Sequence, residues 1–275
     1  MEALFEHRID VAGHSTRAFE SAGEGPGIVL LHGWGDAADV WLAVLAELSA
    51  RERRAIAVDL PGFGRATALK PGAVLPQLDA FAAELVRGWS DGEPVVVAGS
   101  SLGGCLALRL AEQETVELAG VVPMAPDGLE APAWFDAIEE DPIVRKLLSM
   151  PLPVPNALVR NAERGAFDRL ALRDASESQR AVVDALAKDG ETRALMASGR
   201  GLLPELSAAP FDLVGIRCPV LLVWGDHDRM LPHSGARIVL GSLPTTQVEL
   251  IEGCGPRPHL EAPGRLLELL LPFPR

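Results

Sequence analysis

Cysteine is scarce in this 275-residue chain, with three residues in all, Cys105, Cys218 and Cys254. None forms a CxxC pair, and Cys105 and Cys218 sit beside apolar segments. That pattern speaks against a disulfide framework, suits reduced structural thiols and places the expected location in the cytoplasm. Cations are also in short supply: 25 Lys and Arg face 38 Asp and Glu, a formal net charge of -13. An acidic surface repels phosphate backbones and anionic lipid, so neither nucleic acid nor a membrane surface is an expected partner. The charge is read as a solubility feature. No apolar run approaches the roughly 18 residues that a membrane span needs. The leucine-rich tail LLELLLPFP is interrupted by Glu268 and reads as a terminal helix packed on the core. The opening MEALFEHRID has neither a basic n-region nor an apolar h-region, so no secretory signal is expected. A GxxxxGK[ST] phosphate loop, metal-ligand histidine spacing and a dinucleotide fingerprint are all missing, and no cofactor or metal is expected.

What is present is a globular composition, 48% hydrophobic, long enough for one sizeable core. Two strand-like stretches open the chain near Phe5–Val11 and Thr16–Glu20. Buried-strand signals follow at Ile28–Leu31, Ala55–Val58, the run EPVVVAGS and the run beginning at Ala119. Helical stretches separate them, at Ala38–Ala50, Leu75–Trp89 and after GSSLGG. Apolar strands alternating with helices predict a parallel sheet covered on both faces. From about 127 to 211 the pattern is helical only. Strands resume at CPVLLVWGDHD and TQVELIEGCG, each followed by a helix, near His233–Leu243 and Leu260–Leu271. The expected architecture is therefore a mostly parallel, twisted sheet of about eight strands. Residues 1–126 and 212–275 form the core, and a helical cap, 127–211, is inserted before the last two strands.

The strongest local signal is Gly99-Ser100-Ser101-Leu102-Gly103, a G-x-S-x-G pentapeptide between a buried strand and a helix. Flanking glycines permit the strained turn that lifts a serine hydroxyl above the strand end. The register selects Ser101, because Ser100 would need a glycine at Leu102.

An earlier strand ends in His32-Gly33-Trp34-Gly35, and the next runs into DLPGFG. With GSSLGG after the third, the chain resembles the α/β-hydrolase superfamily, most closely its capped, esterase-like branch. The resemblance covers nearly the whole chain except the cap. It implies an oxyanion hole formed by the backbone N–H groups of Trp34 and Leu102. It leaves His32 as a structural histidine bracing the loop.

The family's triad order, serine then acid then histidine, selects Asp228 as the acid. Asp228 lies three residues past Gly225 and four before Pro232, whereas Asp226 shapes the turn. The base is where the resemblance breaks. The family's stretch resembles G-H-x-P after the last strand, but here Gly255 is followed by Pro256-Arg257-Pro258-His259. Proline transfers no proton. Three readings stay open: His259 as a displaced base, His227 or His233 as a substitute, or no competent triad.

A serine at the elbow argues against the aspartate-nucleophile dehalogenases and epoxide hydrolases of this superfamily. The absence of tyrosine strengthens the second exclusion, since epoxide hydrolases resemble one another in using cap tyrosines. Trp134, Phe135, Met150, Leu152 and Val154 make the cap apolar, which favours an apolar small-molecule substrate. The arginines at 160, 164, 169, 173 and 180 read as a solvated face. The expected activity is hydrolysis of carboxylic esters through an acyl-enzyme at Ser101. The alternatives are a catalytically impaired binding protein, or a C–C hydrolase or lyase on the same scaffold. Oligomeric state is left open.

Overall fold

The computed structural model describes residues 4–130, 201–202, 204–208 and 211–274. Most of the expected cap, including its candidate lining residues and arginines, lies outside the described residues.

Eight strands form one sheet: β1 (Phe5–Val11), β2 (His14–Ser21), β3 (Glu24–Leu31), β4 (Arg53–Val58), β5 (Val95–Ser100), β6 (Leu118–Met124), β7 (Leu221–Gly225) and β8 (Gln247–Ile251). Their order is β1-β2-β4-β3-β5-β6-β7-β8. The β1/β2 and β2/β4 pairs are antiparallel, and all later neighbours are parallel. The sheet is thus the mostly parallel one that the sequence predicts.

Side-chain alternation along the central strands feeds two cores. Val29, Leu31, Ile56, Val58 and Val97 face α2 (Leu75–Trp89) and α3 (Leu102–Ala111). Ile28, Leu30, Ala55, Ala57, Val96 and Ala98 face α1 (Leu42–Ala50) and the C-terminal helices. Strands buried on both faces carry near-continuous Val, Ile, Leu and Ala for this reason. Fully burying one such aliphatic side chain stabilises the fold by about 1.5–3 kcal/mol.

Three expected helices arrive in pieces. The first begins as a 3-10 turn, Ala38–Trp41, before α1; another 3-10 turn, His233–Gly235, precedes α4 (Ala236–Ser242). The expected Leu260–Leu271 helix divides into α5 (Pro258–Glu261) and α6 (Pro263–Leu270). Pro263 has no N–H to continue the α5 ladder, and Ala262 leaves helical geometry at φ -140°, ψ 52°. Among the described residues no helix is long and apolar enough to cross a membrane.

Candidate active site

The site is built where β5 runs into α3. Ser101 sits between them at φ 52°, ψ -113°, a left-handed conformation that is strained for a residue with a side chain. The neighbouring glycines make this turn possible. A Cβ on Gly99 would lie 2.2 Å from the Gly103 carbonyl oxygen, and one on Gly103 would lie 2.2 Å from that of Leu31. The Ser101 N–H donates to the Met124 carbonyl at 2.9 Å, which ties the elbow to the end of β6.

That tie brings in a residue the sequence reading assigned only to the start of the cap. Past β6, Ala125 turns through a second left-handed position, φ 40°, while its N–H bonds to the Val223 carbonyl. The chain folds back over the elbow. The Asp127 N–H donates to the Ser101 carbonyl at 3.2 Å. The Ser101 hydroxyl donates to Asp127 Oδ2 at 2.8 Å. Burial pushes the Asp127 carboxyl up to about 6, and the serine hydrogen bond only partly opposes this. One signal for Asp127 exists in the sequence: an acid just past the C-terminal end of the strand beside the elbow strand, where open α/β sheets bind ligands.

The loop after β3 passes directly against the elbow. A Cβ on Gly33 would lie 3.3 Å from Ser101 Cβ, a tight contact that glycine avoids. His32 braces the loop as expected. Its Nε2 accepts the Leu60 N–H at 2.9 Å, which leaves Nδ1–H to donate to the Gly33 carbonyl at 2.8 Å. Burial holds this imidazole neutral by lowering its proton affinity. Asp59, from DLPGFG, is a second brace. It accepts the Ala38 N–H at 2.7 Å and the Arg65 N–H at 2.7 Å, and it pairs with buried Arg17 at 3.0 Å. Trp34 follows Gly33 and is half-buried; Leu102 opens α3 and is fully buried.

Asp228 is buried on the loop after β7. Its Oδ1 accepts the N–H groups of Met230 and Leu231, at 2.8 and 3.0 Å. Its Oδ2 is buried with no hydrogen-bond partner among the described residues. Burial pushes this carboxyl up to about 6, and the charges of Glu261 and Asp127 add to the shift.

His259 does not join these groups by any hydrogen bond. Its ring stacks on Trp41, with centroids 4.5 Å apart, and is fully buried. Neither ring nitrogen has a hydrogen-bond partner among the described residues. Burial lowers its pKa to about 3, with nearby Arg257 adding to the effect. The expected contact with Ser101 is therefore replaced by the Ser101–Asp127 hydrogen bond. The physical reason lies in the preceding loop. Glu261 accepts the N–H groups of Gly255 at 2.8 Å and Arg257 at 3.0 Å, fixing the backbone path. Pro258 then starts α5 and delivers His259 to the α1 side of the sheet. The side chain that reaches back is Arg257, which pairs with Asp36 on the β3 loop at 2.6 Å. His227 and His233, the other candidate bases, are both exposed.

An eight-stranded sheet of this order, with a strained serine turn after its fifth strand, defines an α/β-hydrolase fold. Residues 28–269 match the Alpha/beta hydrolase family, and the chain belongs to that family. It is 30% identical over 267 residues to the pimeloyl-[acyl-carrier protein] methyl ester esterase of Xanthomonas campestris pv. campestris, covering 96% of this chain and 97% of that one. Among solved structures it is similar to Est816, described as an N-acyl homoserine lactone degrading enzyme (TM-score 0.74, 20% identity, 97% of this chain and 100% of that one). It is also similar to the enol-lactonase from Burkholderia xenovorans LB400 (TM-score 0.73, 17% identity, 96% and 98% covered).

Proposed function

We propose that this protein is a cofactor-free serine hydrolase that cleaves carboxylic esters of apolar small molecules. The observation that carries this reading is the Ser101 elbow, with its left-handed backbone and a hydroxyl already hydrogen-bonded to a buried carboxylate. Ser101 Oγ attacks the ester carbonyl. The N–H groups of Trp34 and Leu102 hold the developing oxyanion, a role in which each donor is worth about 3–4 kcal/mol. The alcohol departs, and water releases the acyl group from Ser101. Asp228 lends its charge to the site from the loop after β7. Residues 127–211 form the cap over Ser101, and 1–126 with 212–275 form the core. The named activity of the Xanthomonas relative, a methyl ester esterase, supports the ester assignment. Three free thiols support a reducing compartment, the cytoplasm.

A second reading is a binding protein on a hydrolase scaffold. It is favoured by the stacking of His259 on Trp41 and by Pro256 at the family's base position.

The deciding experiment is turnover of nitrophenyl esters of increasing acyl length by wild type and Ser101→Ala. Hydrolysis by wild type that the variant loses supports the esterase. An inert wild type, or a variant that matches it, sinks the esterase and leaves the binding protein.

A further inference from the structure

We propose that Asp127 is the general base of this site, taking the proton of Ser101 in place of a histidine. The inference rests on Ser101 being the nucleophile and supplies the missing member of its machinery.

Geometry comes first. A base must lie within hydrogen-bond reach of the proton it abstracts, and Asp127 Oδ2 lies 2.8 Å from Ser101 Oγ. The placement is built into the backbone. Two residues with side chains are held left-handed at adjacent strand ends, Ser101 at φ 52° and Ala125 at φ 40°. The first lifts the hydroxyl; the second turns the chain so that Asp127 folds back onto it. The Asp127 amide then bonds to the carbonyl of the residue whose hydroxyl it receives. Strain of this kind persists where the surroundings over-determine it, and it clusters at functional sites.

The competing bases have other surroundings. His259 stacks on Trp41, His227 and His233 are exposed, and Asp228 caps the Met230–Leu231 turn. Burial adds the right chemistry. A carboxylate raised to about 6 has nearly the basicity of an ordinary histidine. The titratable groups interacting with Asp127 among the described residues are Asp228, across from it on the β7 loop, and Cys105 on α3. Burial raises the Cys105 thiol well above its usual range, so it stays neutral.

The proton accounting closes. As the Oγ–carbon bond forms, the serine proton passes to Asp127 Oδ2 and the carbonyl electrons move to the oxyanion. Collapse breaks the bond to the alcohol, whose oxygen takes the proton back from Asp127. In the second half a water molecule gives its proton to Asp127 as it attacks the acyl carbon. Collapse then returns that proton to Ser101.

The test is the rate at which a fluorophosphonate modifies Ser101, followed by intact mass from pH 4.5 to 8. Fluoride is the leaving group, so only the activation of Ser101 is read, whether or not an ester substrate has been found. Wild type should label at a rate that rises through about pH 6 and then levels. Asp127→Asn should label at least about a hundredfold more slowly and lose that step. Asp127→Glu, which keeps the carboxylate, should retain the step. Three outcomes overturn the inference: wild-type Ser101 that does not label, a flat wild-type profile, or Asp127→Asn within about threefold of wild type. If Asp127→Asn does not fold, Asp228→Asn decides: a labelling step near pH 6 that survives belongs to Asp127, and one that vanishes overturns the inference. Failure of ester turnover with Asp127-dependent labelling intact would sink the esterase reading and leave this inference standing.

Discussion

Arg257 and Asp36 join the loop after β8 to the loop after β3, closing a 2.6 Å ion pair between side chains only 9% and 17% exposed. Burial pushes the Asp36 carboxyl up, and the guanidinium only partly opposes this. Removing one partner of such a pair strands the other. Arg257→Met is expected to lower stability by about 3–5 kcal/mol in urea unfolding at neutral pH. The double variant Asp36→Asn/Arg257→Met should recover most of that loss. Equal losses in the single and double variants would show that the pair contributes through packing instead.

Pro256 stands at the family's base position, and Asp228 Oδ2 is buried with no hydrogen-bond partner among the described residues. An imidazole introduced at 256 would find an acceptor already in place. Pro256→His is expected to raise kcat/KM on a nitrophenyl ester at least about tenfold, a fraction of what general-base catalysis by histidine supplies. Adding Asp228→Asn should abolish the gain. A folded Pro256→His protein with unchanged turnover would mean that the loop path keeps residue 256 away from Ser101.

His259 makes the protein sensitive to acid. Its folded pKa is about 3, below the roughly 6.5 of the unfolded chain. Between those values the unfolded state binds a proton that the native state refuses. The stability this group protects is therefore present above pH 6.5 and lost progressively as pH falls towards 3, on the order of 3–5 kcal/mol in all. His259→Phe keeps a ring against Trp41 and removes the titration. Its melting temperature should fall less than that of wild type between pH 7 and pH 4. An identical fall would exclude His259 as the acid-sensitive group.

Asp228 has the opposite sign. Its folded pKa of about 6 lies above the roughly 3.9 of an unfolded aspartate, so the native state holds the proton more tightly. The resulting stabilisation is present in acid and disappears as pH rises through 6, leaving a buried charge at neutral pH. Asp228→Asn should raise the melting temperature at pH 8, equivalent to about 1–2 kcal/mol, with little change at pH 4. A variant less stable at pH 8 would show that the charge is compensated by its surroundings. A gain in stability would also mark Asp228 as a residue kept for function at a cost in folding.

Much of the molecule is legible in its sequence. The helix Leu75–Trp89 and the strand Phe5–Val11 have the boundaries that their patterns predict. The elbow's register follows from two glycines, because a side chain at either would meet backbone oxygen at 2.2 Å. His32 was recognisable as a brace because it precedes the serine and sits in the oxyanion loop that the resemblance implies. Such features are local: periodicity, chain reversal and steric exclusion act over a few residues and leave their mark in the order of the letters.

The sequence by itself determined the alternation of strands and helices and the strained turn at Ser101, since each depends on neighbours in the chain. Only the tertiary structure decided what faces that serine. Asp127 reaches it because β6 lies beside β5 and Ala125 turns the chain back, although 26 positions separate the two residues. His259 misses it because Glu261 fixes the loop and Pro258 starts a helix aimed at Trp41. Arg257 pairs instead with Asp36, 221 positions away. These outcomes depend on strand order and on the path of a loop between fixed points, and a spacing in the sequence carries neither.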